Sequence, residues 1–121
     1  EDPDAFTASL AGVIADERVR IEVVQRPEPS TVSALDHPLF QAMADATARL
    51  VPGSVTVPML TPGATDSAFF RRRGIDTYGM FPAIITPADL AGLHGIDERI
   101  SVENLRFGTH LVYEVLRDVC G

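Results

Sequence analysis

The chain has 121 residues, 45% of them hydrophobic and 22% charged, and its ten basic residues, all arginine, face 17 acidic ones for a formal charge of −7. That balance excludes a nucleic-acid surface, which needs clustered positive charge, since the only dense cluster is Arg71, Arg72 and Arg73. No apolar run approaches the roughly 18–20 residues of a membrane-spanning helix, so no membrane partner is expected. The N-terminus also lacks the basic-then-apolar layout of a signal peptide. The single Cys120 excludes an intrachain disulfide framework and a cysteine zinc cage. The chain opens Glu-Asp-Pro-Asp without a methionine, which reads as a piece of something longer. Compartment is left open: a cytoplasmic location is the default and export is compatible.

In chain order, Pro3 precedes an apolar stripe at Phe6, Leu10, Val13 and Ile14, and this spacing predicts a helix over residues 3–15. Arg18-Val19-Arg20-Ile21-Glu22-Val23 alternates charged and apolar residues, as a half-buried strand does. Pro27, Pro29 and the hydroxyl residues around them make residues 27–33 a linker. Beyond it, Asp36 is expected to cap a helix with Pro38 in its first turn. Leu39, Met43, Ala46 and Leu50 share one face of that helix, which Pro52-Gly53 ends. Val55-Thr56-Val57 reads as a short buried strand, residues 66–73 as a brief helix stopped by Gly74, and residues 76–81 as a further strand. Residues 82–92 read as loop with about one turn of helix. Ser101 is expected to cap a long last helix whose buried face includes Leu105, Val112, Leu116 and Val119. Alternation of helix and strand after the linker predicts an α/β layer architecture with partly parallel strands. With about two strands visible there, against the roughly five or six of a typical sheet, the segment reads as the edge of a larger sheet.

Two stretches could carry chemistry. Thr61-Pro62-Gly63-Ala64-Thr65-Asp66-Ser67 lies between a predicted strand and a short helix. Glycine permits close backbone approach, free N–H groups at a helix start favour an anion or developing oxyanion, and Thr65 adds a hydroxyl. The same turn read structurally is a helix capped by Asp66. The second stretch is His94-Gly95-Ile96-Asp97-Glu98-Arg99-Ile100-Ser101. An imidazole beside carboxylates suits metal binding, but from spacing alone such a histidine is more often part of a solvated loop. His37 and His110 add no ligand partner, the first lying in a helix first turn and the second inside the last helix.

The two stretches together, in this order and separation, followed by a long terminal helix, resemble the C-terminal end of the dizinc aminoacylase and carboxypeptidase family. That family includes carboxypeptidase G, carboxypeptidase S, acetylornithine deacetylase and succinyl-diaminopimelate desuccinylase. The match rests on the Gly63-Ala64-Thr65-Asp66 and His94-Gly95-Ile96-Asp97-Glu98-Arg99 blocks, and Thr65-Asp66-Ser67 followed by Phe69, Phe70 and Arg71 is nearest to carboxypeptidase-S-like members. Ala64 stands where glycine is commoner.

The resemblance implies a C-terminal portion, residues 34–121, of a three-layer α/β/α zinc-peptidase catalytic domain. Residues 1–26 would then be the last helix and strand of a ferredoxin-like lid, and residues 27–33 the return crossing. It implies that His94 is a terminal ligand to one of two zinc ions, with cobalt or manganese as possible substitutes. Glu98 and Arg99 would support the loop, and Gly63, Ala64 and Thr65 would line the substrate pocket. The remaining metal ligands and the general base would come from an N-terminal half, so no catalytic residue is assigned in this chain and the isolated piece is expected to be inactive. The implied reaction is hydrolysis of the amide bond of an N-acyl amino acid or dipeptide-like substrate. The implied partners are that N-terminal half and, through the lid, a second copy. A deacetylase-like member acting on a biosynthetic intermediate shares this chemistry. The rival from another class is a small non-catalytic α/β interaction module in which both stretches are ordinary turns.

Overall fold

Three helices begin at a proline, whose fixed φ suits the first helical position and whose missing N–H is not needed there. The structure, a computed structural model, describes residues 2–25, 31–61, 63 and 65–121. Among them lie α1 (Pro3–Ile14), α2 (Pro38–Leu50), α3 (Ser67–Arg71), α4 (Pro87–Ala91) and α5 (Val102–Cys120). The Asp2 carboxylate caps α1 by accepting from the Asp4 N–H. The α2 cap is His37, whose Nδ1 accepts from the Leu39 N–H at 3.1 Å. Asp36, expected in that role, sits one residue too early because Pro38 takes the first helical position. Ser101 caps α5 through the Asn104 N–H at 3.0 Å, as expected. Residues 82–92, expected as mostly loop, contain α4, closed by a reciprocal box between Thr86 and Asp89.

The core lies between α2 and α5, the one helix pair in substantial contact among the described residues. Ala42 and Ala46 of α2 meet Leu111 and Val115 of α5, with Leu39, Met43, Leu50, Met80 and Phe107 packed around them. Burying Leu111 and Val115 stabilises the pair by roughly 1.5–3 kcal/mol each. Small residues make the close approach possible: alanines on α2, and on α5 Gly108, where an added Cβ would meet the Pro82 carbonyl oxygen at 2.3 Å. The guanidinium of Arg49 reaches across to Asp118 at 2.5 Å and Glu114 at 3.4 Å, and Arg117 pairs with Glu114 at 2.6 Å.

Two expectations are corrected. The buried face of α5 is Gly108, Leu111 and Val115, whereas Leu105 and Leu116 are 59% and 55% exposed and Val112 and Val119 are also exposed. The helix carries two apolar stripes about one residue apart in register, and the one containing the glycine fits against the alanines of α2. The second correction concerns the fold class. No strand forms among the described residues, at 18–23, 55–57, 76–81 or elsewhere, so the α/β sheet layers expected of the catalytic domain and the strand expected of the lid are not present. Alternation of apolar residues sets faces, but a strand exists only through a ladder of backbone partners. At Thr77, within the expected 76–81 strand, a side chain takes the place of a strand partner. The Ser33 hydroxyl accepts from the Thr77 N–H and donates to the Thr77 carbonyl, each at 3.0 Å. The Asn104 amide likewise accepts from the Ile84 N–H and donates to its carbonyl, each at 2.9 Å. α1 has no buried residue, and its stripe of Phe6, Leu10, Val13 and Ile14 is exposed.

Candidate functional site

Ser67, the last residue of the first candidate stretch, is the first residue of α3. Gly63 and Thr65 are exposed, and among the described residues a Cβ on Gly63 would meet no heavy atom within 4 Å. Ala64, the third residue expected to line a substrate pocket, lies outside the described residues. Asp66 occupies the N-cap position, but its φ of −64° and ψ of −12° are helical and its side chain makes no cap bond. The structural reading of Asp66 as a cap is therefore corrected, because a cap needs extended backbone to turn its carboxylate onto the first free N–H groups.

His94 is exposed at the end of a tight turn in which the Gly95 N–H donates to the Gly92 carbonyl at 2.9 Å. Its φ is +58°, the left-handed region that glycine favours and histidine enters only occasionally. Its imidazole is exposed and makes no hydrogen bond or ion pair among the described residues. Asp97 and Glu98 are exposed beside it, and Glu98 makes no hydrogen bond or ion pair among the described residues. Among those residues no three His, Cys, Asp or Glu side chains converge to hold a metal ion. The donor set fits a single terminal ligand, His94, and not a complete site.

Arg99 lines an open cleft of about 420 Å³, together with Phe81, Ile84, Leu90, Leu93 and Phe107. Across it, the Asp89 carboxyl is held below its ordinary range, first by the Thr86 backbone N–H, then by the Thr86 hydroxyl, with a smaller contribution from the Arg99 charge. No hydrogen bond joins the turn at residues 61–66 to the His94 turn among the described residues. The residues that sequence reasoning missed are Ser33, Thr77 and Asn104. Each acts on backbone far away in the chain, and no local pattern marks them.

Residues 4–118 match the peptidase family M20/M25/M40. The chain therefore belongs to that family of metal-dependent hydrolases, as the paired motifs led one to expect. It is 28% identical over 109 residues, 88% of its length, to the human N-fatty-acyl-amino acid synthase/hydrolase PM20D1, of which it covers 22%. It is 26% identical over 107 residues, again 88% of its length, to the Probable carboxypeptidase S-like 2 of Dictyostelium discoideum, covering 21% of it. The zebrafish (Danio rerio) N-fatty-acyl-amino acid synthase/hydrolase PM20D1.1 is 26% identical over 97 residues, 78% of this chain and 19% of its own. The chain thus spans about a fifth of the length of the curated relatives it matches. No solved structure matches it.

Proposed function

We propose that this chain is the C-terminal portion of a zinc-dependent amidohydrolase that cleaves the amide bond of N-acyl amino acids or small peptides, and that it contributes His94 as one terminal ligand of a two-metal site. The observation that carries the reading is the exposed imidazole at a positive-φ position in the His94-Gly95-Ile96-Asp97-Glu98-Arg99 block of a family member. The other non-glycine residue with positive φ, Ala15, closes the end of α1, whereas His94 ends no helix; such backbone clusters at active sites and ligand clamps. The names of the relatives, an N-fatty-acyl-amino acid synthase/hydrolase and a probable carboxypeptidase S-like protein, support an N-acyl amino acid or peptide bond as the target.

Bound metal would supply Lewis acidity and a water of lowered pKa. Within this chain, His94 would hold one ion, while Gly63 and Thr65 would offer backbone N–H groups and a hydroxyl to the substrate carbonyl, aiding its developing negative charge. The other ligands and the proton-carrying carboxylate come from the preceding portion of the protein. On this reading residues 1–26 belong to a lid and residues 27–33 to the linker after it; residues 26–30 lie outside the described residues. The test is zinc stoichiometry and N-acyl-amino-acid hydrolysis by the full-length protein, wild type against His94→Ala. Loss of one zinc equivalent together with hydrolysis is the expected result, and wild-type values for both would overturn the assignment.

A further inference from the structure

We infer that Thr77 is a positioning residue that sets α3 and with it Thr65 and Asp66 just before it, acting through Ser33 and Arg71. The inference rests on the reading that Thr65 faces substrate.

Packing does not hold α3 in place. The helix has five residues, none of them buried, and its Asp66 cap is unmade. It makes no substantial contact with another helix among the described residues. Apolar packing therefore cannot locate it, and polar contacts must. Those contacts converge on Thr77. Its hydroxyl donates to the carbonyl of Ser67 at 3.2 Å, and the Arg71 guanidinium donates to the Thr77 carbonyl at 3.3 Å and to its hydroxyl at 3.5 Å. Ser67 and Arg71 are the first and last residues of α3, so a single side chain engages both ends of the helix.

Thr77 is in turn fixed from the opposite side. The Ser33 hydroxyl takes its N–H and its carbonyl, and Ser33 is buried, at 8% exposure, although it is the last residue of the proline-rich linker. Two neighbouring contacts fasten the same pair of segments: the Ala34 N–H donates to the Asp76 carboxylate at 3.3 Å, and the Tyr78 hydroxyl donates to the Ala34 carbonyl. Every polar group of Thr77 is thus engaged: its N–H by the end of the linker, its hydroxyl by α3 and its carbonyl by both. Thr65 stands two residues before Ser67, so a displacement of the α3 start moves that substrate-facing residue with it. Near-attack geometry tolerates little of this, a misplacement of about 1 Å being able to cost on the order of a hundredfold in rate.

The test uses the full-length protein carrying Thr77→Val, which keeps the shape and removes the hydroxyl, and Thr77→Ser, which restores it. Ser33→Ala, acting from the other side, covers the case in which the valine variant does not fold. Amide hydrogen exchange over residues 63–71 is expected to speed up in Thr77→Val and Ser33→Ala, with exchange in α2 and α5 unchanged. Hydrolysis of an N-acyl amino acid is expected to fall about tenfold in kcat/KM, chiefly in kcat, and Thr77→Ser is expected to recover both. Unchanged exchange over residues 63–71 would overturn the inference, and faster exchange with wild-type kcat would overturn its bearing on the reaction. A wild-type protein without hydrolase activity would refute the functional reading instead, and the exchange comparison would still decide whether Thr77 sets α3.

Discussion

Gly108 lies against the carbonyl oxygen of Pro82 so closely that a Cβ would sit 2.3 Å from it, and one helical turn earlier Asn104 clasps the backbone of Ile84. Together they press residues 82–84 onto α5 and shape one wall of the cleft beside Arg99. In an exposed helix, alanine would be favoured over glycine by about 1 kcal/mol. Here the contacting atom is backbone, which cannot swing aside, so the clash outweighs the propensity. Gly108→Ala is expected to destabilise by about 1–3 kcal/mol in denaturant unfolding. A more stable alanine variant would show that the helix does not approach so closely.

The two apolar stripes of α5 give a second, comparative expectation. Leu111 is 3% exposed between α2 and α5, while Leu116 is 55% exposed. Leu111→Ala removes buried methyl groups from a small core and is expected to cost about 2–5 kcal/mol. Leu116→Ala in the same 121-residue chain is expected to change stability by about 0.5 kcal/mol or less. Equal losses from the two, read from unfolding midpoints at a shared slope, would return the buried face to the one its spacing suggested.

The contrast between those stripes shows why some of the fold was legible and some was not. α1, α2 and the start of α5 were readable because Pro3, Pro38 and Ser101 act within one turn of themselves, and the choice of cap at His37 followed from the position of a neighbouring proline. Which stripe of α5 is buried depends on Ala42 and Ala46, more than sixty residues away, and periodicity carries no such information. The expected strands failed for a related reason. Val19, Val23, Val55 and Val57 alternate as a strand would but are exposed, and the backbone of Thr77 is engaged by a serine hydroxyl 44 positions distant. At the candidate site, Gly63, Thr65 and His94 stood out through local turn chemistry and paired motifs, while the contacts that hold the turn in place could not be seen in spacing.

Acid is expected to loosen α4 in a defined direction. The Asp89 carboxyl is depressed by hydrogen bonds from the Thr86 N–H and hydroxyl, with a smaller pull from Arg99. A carboxyl whose folded pKa lies below its unfolded value contributes stability that is complete above the unfolded pKa and is lost as pH falls through the folded one. The capping box should therefore persist at neutral pH and open below the ordinary carboxylate range. Amide exchange of Asp89 and Leu90, followed downward in pH, is expected to rise in that window. Asp89→Asn should abolish the step, and an identical acid transition in that variant would assign it to another group.

His94 offers the sharpest separation of stability from function. At φ +58° a side-chain-bearing residue sits in a region that costs an L-residue roughly 1–2 kcal/mol, whereas glycine enters it freely but has more unfolded-state freedom to lose, about 0.5–1 kcal/mol. The two nearly offset, so His94→Gly is expected to leave stability within about 1 kcal/mol of wild type, on the stabilising side. If the imidazole is held there to bind metal, the same substitution should remove one metal equivalent and the hydrolytic activity of the full-length protein. His94→Ala, which keeps the strained backbone, should lose both and be less stable than the glycine variant. Thermal unfolding with metal analysis on the same samples checks both halves. A glycine variant that is markedly destabilised yet retains its metal would make His94 a packing residue and remove it from the site.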